Sequence, residues 1–187
     1  MSEKRRKLVY WLSLLGLVVL IILLLLPARG TTRSPARRET CLSNLIQLGL
    51  ALAMYSDQNH GKLPMDSATP TLVGSMKLLS NVAVSAKFLH CPNDIRAGAK
   101  AEANFEKLTT LNISYSYVPH LTWQDQPDSI VALDRIHATA AGSRWPTNGN
   151  HRGAGGNVLF NDGHAQWYNA LPSALKDKDR REAILSP

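Results

Sequence analysis

From Leu8 to Leu26 the chain reads LVYWLSLLGLVVLIILLLL, nineteen residues without one ionisable side chain, directly after the basic cluster Lys4-Arg5-Arg6-Lys7. At 1.5 Å per residue such a helix measures about 28 Å, close to the roughly 30 Å of a bilayer's hydrocarbon core. Soluble domains seldom leave so long a stretch uncharged, so the run predicts a transmembrane helix over 8–27 behind a basic leader, 1–7. A cleaved secretory signal fits less well. Its apolar region usually holds about 7–15 residues, and Pro27-Ala28-Arg29-Gly30 offers no clean small-x-small cleavage site. Arg29, Arg33, Arg37 and Arg38 follow the run, so charge alone leaves the orientation open; the tightly packed N-terminal four favour an inside N-terminus.

Residues 28–34 read as a linker, 35–171 as one domain with one core, and 172–187 as a polar tail. The net charge of +7 is concentrated at residues 4–7, at 29–38 and in Lys176–Arg181. No aromatic residues interleave with it, so anionic lipid explains the pattern better than nucleic acid, which is excluded as a partner. The lipid bilayer, through residues 8–27, is the expected partner. Only two cysteines are present, Cys41 and Cys91, too few for a structural zinc site. In an exported body they are disulfide candidates; otherwise they are two buried thiols.

Ser34-Pro35 is a helix-start signal, and Cys41, Leu45, Leu48, Leu52 and Tyr55 then recur at helical spacing up to the stop Asn59-His60-Gly61. This predicts an amphipathic helix over 35–60. A short helix is expected around Gly74–Ser80, and a mobile excursion over Ala97–Leu108. Strand signals lie at Ile113–Val118, Ile130–Leu133, Asn157–Phe160 and His164–Tyr168. The last two flank Asn161-Asp162-Gly163, a hairpin turn built for positive φ at glycine. The fold class is therefore α+β: an N-terminal transmembrane helix and an amphipathic helix packed on a small antiparallel sheet over 113–168.

His151, Asp162 and His164 carry the right atoms for a metal, with Asp134 and His137 close in sequence, but their spacing matches no ligand motif. Asp162 has a conformational reason to sit in a turn. Ser114 and Ser116 lack a neighbouring base, and Asp125, Asp128 and Asp134 are too sparse for a calcium loop. HRGAGGN precedes a strand and not a helix, so it is no phosphate cradle. The expectation is a protein that is not an enzyme and has no catalytic residues, cofactor or metal.

Several segments together resemble a known family. They are an apolar N-terminal helix ending in Leu-Leu-Pro, then CLSNLIQLGLAL from Cys41, Tyr55, Asp57, Gly61 and Pro64, FLHCPND at Phe88–Asp94, SYSYV at Ser114–Val118, and His151-Arg152-Gly153 leading to NVLFNDGH at Asn157–His164. In this order they are similar to bacterial type IV pilins and type II secretion pseudopilins. The nearest resemblance is to the group with a domain of unknown function found in planctomycetes and verrucomicrobia, which ends in a His…Asp-Gly-His signature. The resemblance implies a pilin-like fold, single-pass in the inner membrane with the N-terminus cytoplasmic and the body periplasmic. It also implies self-association or contact with other pilin-like subunits. Where that family carries Gly-Phe-Thr-Leu-Ile-Glu for prepilin-type processing, this chain has Lys7-Leu8-Val9-Tyr10-Trp11-Leu12, and ten residues separate His151 from Asp162 where the family's signature has nine.

Three functions follow as expectations. The first is a membrane-anchored, pseudopilin-like structural or accessory protein acting through protein contacts. The second is a stalked periplasmic binding module for peptide or glycan, recognising it through residues 97–129 and the sheet edge. The third is a metal-dependent enzyme using His151, Asp162 and His164.

Overall fold

The computed structural model describes residues 2–25, 33–67, 70–136, 144–172 and 184–187. Residues 28–32 of the expected linker, His137 and residues 173–183 of the tail lie outside these. The chain divides into two compact units, Met1–Thr32 and Arg33–Pro187.

The first unit contains helix α1, Glu3–Leu25. Glu3 and Lys7 form an i,i+4 ion pair at 2.9 Å, too exposed to stabilise it by more than a few tenths of a kcal/mol. Among the described residues no helix is long and apolar enough to cross a membrane, and the transmembrane reading of 8–27 is corrected accordingly. The opening turns of α1 carry Glu3, Lys4, Arg5, Arg6 and Lys7, and the uncharged remainder of the helix is Leu8–Leu25. Five of its 23 residues are therefore charged and clustered at one end, so α1 is not apolar from end to end. The fold class that stands is α+β with a four-stranded antiparallel sheet.

In the second unit, helix α2 spans Arg33–Gln58, within two residues of the expected bounds. It ends where His60 and Gly61 turn left-handed, at φ 57° and 82°, and the Gly61 N–H bonds the Ser56 carbonyl at 3.0 Å. Cys41, Leu45, Leu48, Ala51 and Leu52 are buried. The three leucines alone contribute roughly 5–9 kcal/mol of burial before entropy is counted. Helix α3, Leu72–Lys77, follows, with the Thr71 hydroxyl accepting from the Gly74 N–H. The segment expected to be a mobile excursion is instead laid on the core. Phe105 and Leu108 are buried, Ala86 N–H bonds the Ala103 carbonyl, and the Asn112 amide donates to the Lys100 carbonyl.

Strands β1 (Tyr115–Tyr117), β2 (Ile130–Asp134), β3 (Gly156–Phe160) and β4 (Ala165–Tyr168) form an antiparallel meander in sequence order. Tyr115 pairs with Asp134, Leu133 with Val158, and Asn157 with Trp167. An irregularity between Ile130 and Ala132 turns both Val131 and Ala132 into the α2-side core, which also holds Tyr115, Tyr117 and Leu159. The opposite face carries a second core of Leu133, Ile136, Val158 and Phe160 under Trp145, Leu171 and Ile184. The edge of β1 is covered by Leu185, which exchanges two backbone bonds with Tyr117.

At the start of β3, a Cβ on Gly155 would fall within the Trp167 ring and one on Gly156 within the Trp145 ring. The glycine pair is thus a packing requirement, letting one tryptophan close on each residue.

Candidate functional site

The disulfide Cys41–Cys91 is present, with Cα atoms 4.9 Å apart. It ties α2 to the segment after Leu89, where the Asn44 amide also donates to the His90 carbonyl at 2.7 Å. Closing about 50 residues is worth roughly 4 kcal/mol in the chain-entropy treatment. The Tyr115 hydroxyl, on β1, donates to the Cys41 carbonyl at 3.1 Å, locking strand to helix beside the bridge.

Against this bridge lies His151. Residues after it turn left-handed, Arg152 at φ 54° and Gly153 at φ 80°, bringing the loop back toward β3. His151 Nδ1 is 3.0 Å from the Asn93 amide nitrogen. With that amide as donor, the ring proton sits on Nε2 and points at Asp134 Oδ2, 3.0 Å away. The same Nε2 is 3.9 Å from Cys91 Sγ. The Trp167 ring meets the imidazole edge-on at 5.0 Å. Asp134 is buried and also accepts from the Asn157 backbone and side chain and from the Asn150 amide, at 2.6, 2.9 and 2.7 Å. A buried carboxylate with four donors is an organising centre for the loops around it.

A second buried carboxylate lies nearby. Asp94 is gripped by the Arg96 guanidinium through both oxygens, accepts from the Ser114 hydroxyl at 2.8 Å, and lies 3.7 Å from Arg135. Burial alone would raise its pKa, but the Arg96 and Ser114 bonds outweigh burial and hold it below the usual carboxylate value. The His90 pKa is lowered, chiefly by burial and further by Arg96, with Asp94 opposing.

Above His151 opens a cavity of about 580 Å³, lined among others by Arg37, Arg38, Asn93, Arg152 and Trp167. The Arg38 guanidinium lies 4.6 Å over the Trp167 ring. Three arginines face this space, whereas its lining carboxylate, Asp94, is already paired.

No protein-family model matches the chain, and neither a curated protein nor a solved structure matches it.

The three residues singled out as metal candidates are not brought together. His151 precedes β3, while Asp162 and His164 lie beyond its far end in the β3–β4 turn. There Asp162 Oδ1 accepts from the His164 backbone and ring, bonds that hold its pKa low, the backbone bond foremost. The His164 ring stacks on Phe160 at 4.4 Å. Gly163 has φ 86° and Asn161 donates to the Thr122 and Asp125 carbonyls, so Asn161-Asp162-Gly163 is a turn pinned to a neighbouring loop. Among the described residues the set with metal-ligand geometry is Cys41, Cys91 and His151, whose ligand atoms lie within 4.8 Å of one another. In the sequence the two cysteines and the histidine belong to separate segments with no shared motif. Cys91 and His151 stand 60 positions apart, which leaves no local spacing that would have joined them.

Proposed function

We propose that this chain is a pilin-like structural or accessory subunit of a type II secretion or type IV pilus-like system, acting through protein–protein contacts. The observation that carries the proposal is α1, in which Leu8 through Ile22 are exposed on every side. A helix apolar all round needs covering on all faces, and the occupant assigned here is the same helix in neighbouring copies. A second uncovered stripe supports this reading. Ile46, Leu50 and Met54 follow one another at i,i+4 on α2, away from its buried face, at 40%, 62% and 50% exposure. The disulfide favours placing the body in an oxidising compartment, consistent with a periplasmic location.

The test is a photo-crosslinking residue at Val18 of the full-length chain. Irradiation is expected to give a ladder of multiples of the chain mass. Monomer alone, or adducts with lipid alone, overturns the proposal.

The cationic cavity favours a second reading, a binding module for an acidic peptide or glycan held by Arg37, Arg38 and Arg152. A carboxylated oligosaccharide titrated into the wild type and into Arg37→Ala/Arg152→Ala separates the two readings, because self-association through α1 would not respond.

A further inference from the structure

We infer that reduction of the Cys41–Cys91 bridge converts these two sulfurs and His151 into a binding site for a zinc-class divalent cation. Bridge and metal centre are then mutually exclusive states of the same residues. The chemistry of the set is right: two thiolates and an imidazole are preferred ligands of Zn²⁺, which takes four tetrahedral positions. The geometry is close. With Zn–S near 2.3 Å and Zn–N near 2.0 Å, a tetrahedral centre needs a sulfur-to-nitrogen separation of about 3.6 Å, and Cys91 Sγ and His151 Nε2 are already 3.9 Å apart. The sulfurs must part to about 3.7 Å, and the Cys41 sulfur, within 4.8 Å of the ring's ligand nitrogen, must settle at the same sulfur-to-nitrogen separation as Cys91.

The surroundings fit a metal as well. When Nε2 turns from Asp134 to the ion, Asp134 keeps its three amide donors, from Asn157 and Asn150, so no buried carboxylate is stranded. Nδ1 then carries the ring proton, and the Asn93 amide, rotated end for end, accepts it and fixes the ring. Both sulfurs are buried, yet His151 and the residues next to Cys91, Pro92 and Asn93, line the cavity. The cavity therefore gives the ion a route in and offers a water for the fourth position.

The balance is simple. A dithiol reductant gives two electrons and two protons to the bridge and becomes a disulfide, leaving Cys41 and Cys91 as thiols. Binding of the dication releases those two protons to solvent, and an oxidant that re-forms the bridge expels the ion.

The experiment uses the full chain and Co²⁺ as a probe, since cobalt thiolates absorb through ligand-to-metal charge transfer. Chain reduced with a phosphine and freed of excess reagent is expected to bind one Co²⁺ with a thiolate charge-transfer band, and to lose ion and band on reoxidation with diamide. Zn²⁺ should displace the cobalt. Oxidised chain should show no such band, and His151→Ala, reduced, should bind at least tenfold more weakly with unchanged thiol content. The inference is overturned by reduced chain that takes up no cobalt, by uptake without the band, or by a His151→Ala chain that binds as tightly as wild type. Should reduction unfold the chain, recovery of its circular dichroism on adding Zn²⁺ supports the site, and no recovery overturns it.

Discussion

His151 and Asp134 meet at 3.0 Å with side chains only 4% and 2% exposed, and around that contact the disulfide, β2, β3 and the cavity floor converge. A buried pair is costly to break from one side, because the partner is left without its donor.

We therefore predict that His151→Ala destabilises the fold by about 2–4 kcal/mol, read from urea denaturation of the oxidised chain. His164→Ala, at an exposed turn, should cost no more than about 0.5 kcal/mol. Equal costs at the two positions would refute the asymmetry.

Removing the bridge by Cys41→Ala with Cys91→Ala should lower stability by about 4 kcal/mol in the entropic treatment. Intact mass of the oxidised wild type, before and after reduction and alkylation, should show both cysteines blocked first and both labelled afterwards.

Gly156→Ala should destabilise by about 1–3 kcal/mol, since the added methyl group meets the Trp145 ring. Tryptophan fluorescence should shift as that ring gives way. An unshifted spectrum with unchanged stability would contradict the packing described at the start of β3.

Acid sensitivity should have two parts. Asp94 is held below its ordinary pKa, so its contribution is complete above about pH 4 and is lost as pH falls through the folded value. Asp94→Asn should flatten that limb of the stability curve. His90 also has a lowered pKa, so protonation favours the unfolded chain as pH drops below about 6.5. His90→Gln should flatten that earlier slope.

Leu50→Lys with Met54→Lys should change stability by less than about 0.5 kcal/mol, because both side chains are exposed. Sedimentation at increasing concentration should nonetheless show weaker self-association than wild type. Unaltered association would remove the α2 stripe from the contact.

The helical stripe of α2 was legible because its apolar spacing is periodic, and the β3–β4 hairpin because Asp-Gly demands one backbone geometry. The sheet's second core was not. Trp145, Leu171 and Ile184 are isolated apolar residues in irregular segments, and no period marks the face they cover. The length of the apolar run was legible, but where the helix spends its residues was not: α1 begins at Glu3 and includes the whole basic cluster. The candidate site was legible only in pieces. Cys41, Cys91, Asp134 and His151 come from a helix, a turn, a strand and a loop, and only the fold makes them neighbours.

The bridge between Cys41 and Cys91 has a mechanical consequence. A pull applied at Arg33 and resisted at the C-terminus runs along α2 as far as Cys41, crosses the sulfurs, and re-enters the chain at Cys91. Residues 42–90, which include most of α2 and all of α3, then bear no tension. What can give way under load is therefore confined to the turns of α2 before Cys41 and to the segment beyond Cys91, the sheet and its loops.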